Sequence, residues 1–443
     1  MGKIQPLLLC FSLVLAASPV PAQEGQVSVL TLERACELAE KNSITLKKQA
    51  LDLELDRVGA KNLWAQIFPS IGVSGGANYS IPLNNGAPRA DPSYTVRVGL
   101  SLNLGAGLPY TMANLSLAYK KGLLDYEQVR RQLANQTAKT FYSLLVQKNS
   151  LLVLEGAERI AADQLQRDRL ARQNGYLGEL DFLSSSLSVE NAKLEYSRAL
   201  SNYRSALGAF LTTLGLDQEE EPELEGTVEI EKLVLDAEGL IRTGLSRHSG
   251  LAARRNEIER LKNAGNETFL SAKGPSVSLS ASLGASLADG FEDTASAGIS
   301  LSIPVDPWIP RSRRDQEVQR ARTGYEKALL DLWDQERTLR QEIRNAVEAL
   351  ENTWTEVEIA RLQADYARRA FELAEQSYRL GTMNFLNFET LRNRLTEARQ
   401  RLFQNELDYK ILALDFASSL NMDIGELKDF SYGDIETGEG GER

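Results

Sequence analysis

The 443-residue chain is 42% hydrophobic and 25% charged, and its 50 Lys and Arg against 61 Asp and Glu give a formal charge of −11. That is ample for a core and long for one ordinary domain. The acidic balance argues against a nucleic-acid partner, which would favour a basic stripe. Residues 1–22 have the pattern of a secretory signal peptide: Lys3, an apolar stretch from Leu7 to Ala17, and Val20-Pro21-Ala22 before Gln23. The rival readings are a membrane anchor, for which roughly 11 apolar residues fall short of about 20, and lipidation at Cys10, which lacks a small residue just ahead. After cleavage Cys36 is the one cysteine. An exported chain without an internal disulfide suits a large periplasmic or outer-membrane protein.

The chain is written twice. A shift of 206 residues pairs Pro69-Ser70 with Pro275-Ser276, Gly175 with Gly381, Phe182 with Phe388, Tyr203 with Tyr409, Phe210 with Phe416 and Leu214 with Leu420. A shift of 203 matches better at the glycines themselves but fails along the helix that follows. The repeats are 23–217 and 218–425, and 426–443 reads as an acidic, mobile tail. Each repeat opens with a helix, from Thr31 to Leu55 and beyond and from Asp236 to Leu261 and beyond, with Thr31 and Asp236 as N-caps. Two alternating runs follow in each, predicting strands at 70–80, 94–104, 276–287 and 294–303. They are joined by hairpin connections at 81–93 and 288–293.

Long helices come next. In the second repeat Leu339, Ile343, Ala346, Leu350, Thr353, Val357, Ala360, Ala364, Ala367, Phe371, Ala374 and Tyr378 alternate four and three apart. That is a sustained coiled-coil seam. The first repeat keeps a sparser version at Leu133, Leu144, Leu151, Leu154, Ala161 and Leu165. Roughly 65 helical residues reach about 100 Å at ~1.5 Å each, so the helices project as a rod or tube. The fold class is therefore mainly α with a small β part.

Strand runs of about ten residues are long enough to cross a bilayer when tilted. They alternate apolar residues with Ser, Gly and Asn, as a barrel wall between lipid and water does. The alternative is a small soluble β patch. Four strands cannot close a spanning barrel, which takes about eight or more. Two copies give eight and three give twelve, and the pattern does not choose between them.

Chemistry is sparse. With one histidine, His248, and one mature cysteine there is no metal-ligand spacing, no phosphate loop and no catalytic pair, so the expectation is no enzyme, no metal and no cofactor. A structural coiled-coil spacer of the envelope is the competing non-enzyme reading; it leaves the hairpins and the duplication unexplained.

The stretches LTLERACELAEKNS, IFPSIGVSGGANYS, the G-x3-ELDFL run at 175–183 and SYRLGTMNFLNFETLRNRLTEA at 377–398 resemble the outer-membrane efflux (TolC-like) channels of diderm bacteria, over nearly the whole mature chain. The resemblance implies a homotrimer in outer-membrane lipid. Four strands per chain would form a twelve-stranded β-barrel, continued by an α-barrel of antiparallel coiled coils through the periplasm. It implies cargo received from an inner-membrane transporter through a periplasmic adaptor (membrane fusion) protein, in efflux or type I secretion. It places Gly175 and Gly381 at the turns of the periplasmic tip, with Asp181 and Asn387 six residues on and Tyr378 just before the second turn. Asn387 departs from the acidic residue common there, and Met383 stands where a basic latch residue would be. Asp181 also fits a plain acid complementing a helix N-terminus. Tyr110, Pro304, Pro307 and Trp308 fall where barrel becomes helix, as an interfacial aromatic belt or as simple packing at the joint.

Overall fold

The computed structural model describes residues 29–79, 93–217, 222–287 and 291–429. The signal-like segment 1–22, most of the connection at 81–93, residues 288–290 of the second connection and the tail beyond residue 429 lie outside them. Two series of elements follow in the same order. The first is β1 (Val29–Leu30), α1 (Leu32–Asn42), α2 (Ile44–Lys61), β2 (Ser70–Asn78), β3 (Ser93–Gly105), α3 (Leu108–Gln173) and α4 (Glu179–Leu214). The second is β4 (Glu223–Leu224), α5 (Ala237–Arg247), α6 (Ser249–Lys273), β5 (Ser276–Leu287), β6 (Phe291–Ser302), α7 (Arg313–Arg379) and α8 (Phe385–Ser419), followed by α9 (Ile424–Asp429).

Thr31 and Asp236 cap as expected: Thr31 Oγ1 accepts from the Arg34 amide, and the Asp236 carboxylate accepts from the amides of Glu238 and Gly239. The continuous opening helices do not form. Each breaks after 11 residues, at Ser43 and at His248. Ser43 Oγ accepts from the Leu46 amide at 3.2 Å and His248 Nδ1 from the Leu251 amide at 3.3 Å, so each starts a second helix. The bend lets α1 lie on α3 and α4, and α5 on α7. The tail also differs from expectation at its start. Residues 424–429 form α9, and Leu427 is fully buried against the second-half core.

The main sheet is antiparallel in the order β2-β3-β5-β6. Pairing of β3 with β5 joins the two halves and leaves β2 and β6 as open edges. Opposite residues share a face, so Val98, Leu283 and Ala295 stand on one side and Gly99, Ser282 and Ser296 on the other. β1 and β4 make a separate parallel pair at the level where α1 packs.

α3 has 66 residues and α7 has 67, so each spans about 100 Å at ~1.5 Å per residue. Toward the tip the packing order is α4-α3-α8-α7; nearer the sheet it is α2-α3-α6-α7. The result is a palisade with two free edges. Along α7 the buried residues Leu339, Ile343, Leu350, Val357, Ala360, Phe371 and Ala374 follow the heptad seam, widened by Val347 and Trp354. Three apolar clusters hold it together. One gathers Leu38, Phe141, Leu144, Phe210 and Leu214. Its second-half counterpart gathers Leu240, Ile343, Tyr409, Phe416 and Leu420. The third lies at the far end of the helices, around Phe371, Phe385 and Phe388. Each fully buried Leu, Ile or Phe contributes about 1.5–3 kcal/mol. No described helix is long and apolar enough to cross a membrane.

Candidate functional site: the tip of the coiled coils

Two helix-to-helix turns close the far end. Each long helix ends on a glycine in the left-handed region, Gly175 at φ +74° and Gly381 at φ +71°. Both turns carry the same pair of hydrogen bonds. Tyr176 N–H donates to the Ala171 carbonyl and Gly175 N–H to Arg172; Thr382 N–H donates to Ser377 and Gly381 N–H to Tyr378. Only glycine adopts that conformation without steric cost, and the paired bonds satisfy carbonyls left free at the helix end. The N-caps of the returning helices, Gly178 and Asn384, are also 206 residues apart.

The caps differ in chemistry. Asn384 Oδ1 accepts from the Asn387 amide at 2.9 Å, so Asn387 contributes its backbone while its side chain is exposed. Gly178 offers no side chain. Glu179 and Asp181 in the first turn of α4 complement the helix dipole in its place.

Behind the turns lies a polar cluster that sequence reasoning missed. Asp168 on α3 is 3% exposed. Its Oδ1 accepts from Tyr378 Oη of α7 at 3.0 Å and from Gln164 Nε2 at 2.8 Å. Oδ2 is buried with no hydrogen-bond partner among the described residues, and so is Ser185 Oγ of α4. The Tyr378 phenol is pushed well above its ordinary range, first by burial and then by the negative charges of Asp168 and Asp181. It is therefore a neutral donor to a carboxylate, a charge-assisted bond across the two coiled coils. A second bridge is Arg392 of α8, 6% exposed, which donates to Ser188 Oγ of α4 at 2.7 Å and to Glu389 at 3.3 Å. Beside it runs a cleft of about 720 Å³ between α4 and α8, lined by Asn191, Glu195, Arg198, Glu397 and Gln400. A signal for Asp168 did exist: with Ala161 and Gln164 it falls on the buried seam of α3, where heptads favour apolar residues.

At the sheet end, Tyr110 lies half-buried in the first turn of α3. Pro304 follows β6, and Pro307 is buried in a one-turn 3-10 helix, Asp306–Trp308. Trp308 is 65% exposed, with the Lys273 ammonium 5.1 Å from its ring centroid. The Tyr378–Asp168 bridge and the sheet joint thus occupy opposite ends of the rod. Among the described residues no cluster of His, Cys, Asp and Glu is arranged to hold a metal ion.

The sequence profile of the outer membrane efflux proteins matches residues 35–216 and again 252–421. No curated protein sequence matches the chain significantly. Among solved structures, the CmeC outer membrane channel of Campylobacter jejuni superposes with a TM-score of 0.72 at 17% identity, over 90% of this chain and 89% of that one. A membrane protein from Pseudomonas aeruginosa gives 0.71 at 19% identity, over 88% and 93%. The open MtrE outer membrane channel of Neisseria gonorrhoeae gives 0.71 at 15% identity, over 89% and 89%. These likenesses show a shared fold, and the double profile match covers most of the sequence: the chain belongs to the outer membrane efflux protein family.

Proposed function

We propose that three copies of this outer-membrane efflux protein close into one duct, which takes cargo from an inner-membrane transporter through a periplasmic adaptor and releases it outside. The observation that carries this is a set of apolar stripes left exposed by the described residues. On α2, Ile44, Leu51, Leu55 and Val58 are exposed; on α4, Leu180, Leu183, Leu187 and Leu194; on α7, Ile359, Leu362, Tyr366, Leu373 and Leu380. All three are spaced by threes, fours and sevens, as coiled-coil seams are. They lie on the helices at the two free edges of the palisade, α2 and α4 on one side and α7 on the other. The open strands β2 and β6 sit at the same two edges of the sheet. One copy's α7 and β6 meeting the next copy's α4, α2 and β2 satisfies both requirements together. Open strand edges in lipid would cost several kcal/mol per unpaired group. Four strands per chain in three copies give the twelve-stranded barrel that the family resemblance implies.

In this reading Gly175, Asp181, Tyr378, Gly381 and Asn387 form the entrance tip. The Tyr378–Asp168 bond holds the tip narrow, and the polar cleft between α4 and α8 receives the adaptor. Tyr110, Pro304, Pro307 and Trp308 mark the inner membrane interface. The test is the assembly itself. Gentle detergent extraction of the outer-membrane fraction should yield a heat-modifiable three-chain particle, and Leu373→Asp together with Leu187→Asp should dissociate it. A monomer from unmutated protein would overturn the reading.

A further inference from the structure

Among the described side chains on the polar face of the sheet, one carries a charge. Registers put Val96, Val98, Leu100, Leu283 and Ile299 on an apolar face, and they are largely exposed, as lipid-facing residues of an isolated chain are. Apart from Arg97, the opposite face is made of Ser, Gly, Thr and Asn on β2, β3 and β5, with hydroxyl pairs such as Ser278–Ser300 and Ser282–Ser296 between β5 and β6. Arg97 of β3 belongs to this second face, opposite Ser74 of β2 and Gly284 of β5. It is exposed and makes no ion pair among the described residues. A Cβ built on Gly284 would lie 3.8 Å from Arg97 Nε, so the Arg stem lies across the space that glycine leaves. An Arg on the lipid side near mid-bilayer would cost about 2–4 kcal/mol; on this side it faces water.

Ser74 of β2, Gly284 of β5 and Thr294 of β6 share its row. Arg97 is thus the one long and cationic side chain in a row of short neutral ones.

We infer that Arg97, repeated once per copy, forms a guanidinium ring that narrows the outer exit of the duct and favours anionic over cationic solutes there. This rests on the closed three-copy duct proposed above. Rings of fixed charge set selectivity in pores by the field they impose on a confined path.

The test uses the full chain in intact outer membranes, with Cys36→Ser to silence the native thiol. Ser101→Cys places a thiol on the same face, four residues further in, and small anionic and cationic methanethiosulfonates are added from outside. This readout does not depend on whether the inner tip is open. With Arg97 present the anionic reagent is favoured. Arg97→Ser should lower the anionic-to-cationic rate ratio by about threefold or more, and Arg97→Glu should lower it further. An unchanged ratio in both Arg97 variants, with the thiol still reactive, would overturn the inference and leave the duct standing. Failure of both reagents to reach the thiol in correctly assembled protein would instead overturn the water-filled duct, and the ring with it.

Discussion

The two tip turns share a backbone but are filled with opposite chemistry. At positions 206 apart, Arg172 corresponds to Tyr378, Phe182 to Phe388, Asp168 to Ala374 and Glu179 to Phe385. In the second turn Tyr378 stacks on Phe388 with ring centroids 5.0 Å apart, Phe371 lies 5.8 Å from Phe388, and Phe385 is buried beside them. In the first turn the Arg172 guanidinium sits 4.5 Å from the Phe182 ring centroid, and the buried places are taken by Gln164, Asp168, Ser185 and Ser188. One turn is anchored by its own aromatic core. The other is held by polar bonds, and the principal ones reach across to the second coiled coil. Duplication thus produced an anchored turn and a dependent one.

The largest effect should come from emptying the anchored turn. Phe388 is 1% exposed, and Phe388→Ala should cost about 3–5 kcal/mol of local stability. Hydrogen exchange would show protection lost over 371–395. Because the first turn leans on the second through Tyr378, its amides at 164–185 should loosen too, though less. Equal loosening in both turns after Phe182→Ala would break the asymmetry. Next is the cross-bridge. Tyr378→Phe removes the donor to Asp168 and should cost about 1–3 kcal/mol while leaving the aromatic stack in place. Its pH signature has a definite sign. The folded phenol's pKa is raised above the unfolded value. The stabilisation is therefore fully present below about pH 10 and is lost as the pH rises through the folded value. Alkaline titration of tip protection should show that loss in the unmutated protein and not in Tyr378→Phe. In bilayers the variant should also raise conductance, if the bond holds the entrance narrow.

How much of this could be read in advance follows from where each signal lies along the chain. The paired strands announced themselves because Val277 to Leu287 alternates with period two, and the α7 seam because Leu339 to Tyr378 keeps threes and fours for many turns. The breaks at Ser43 and His248 left no comparable mark. The helical pattern runs on through both, and only a single side chain accepting one amide redirects the chain. Asp168 and Arg392 were missed for a different reason. Arg392 looks like an ordinary charged helix residue, and Asp168 like a lapse in the seam, until the fold brings Ser188 and Tyr378 to them from 204 and 210 residues away. The exposed stripes on α2, α4 and α7 were hidden in the same way, since a seam shows its period but not whether its partner is in the same chain. The stretch 426–429 was misread because its acidic neighbours masked the one leucine that docks.

The glycines test whether the shared backbone is equal in both turns. A Cβ at Gly175 or Gly381 meets nothing within 4 Å, so the whole cost of alanine is the left-handed backbone. Gly175→Ala and Gly381→Ala should each cost about 1–2 kcal/mol, and thermal unfolding of the tip should give the same value for both within error. A larger loss at Gly175 would mean that the dependent turn amplifies strain that the anchored turn absorbs.

The smallest effect should come from Arg172. It pairs with Glu179 at 2.9 Å, but both side chains are about half exposed, and an exposed pair contributes about 0–1 kcal/mol. Its contact with the Phe182 ring adds about 0.5–1 kcal/mol at an exposed site. Arg172→Ala should therefore lower protection of the first turn by no more than about 1–2 kcal/mol, and the ion-pair share should fade with added salt. Arg172→Tyr sharpens the point, because it rewrites the first turn in the language of the second. If aromatic packing is what anchors a turn, this variant should become as protected as Arg172 leaves it or more so, and insensitive to salt. If protection falls as far as with alanine, the anchoring of the second turn depends on Phe371 and Phe385 around the stack, and the Tyr378–Phe388 pair alone does not explain it.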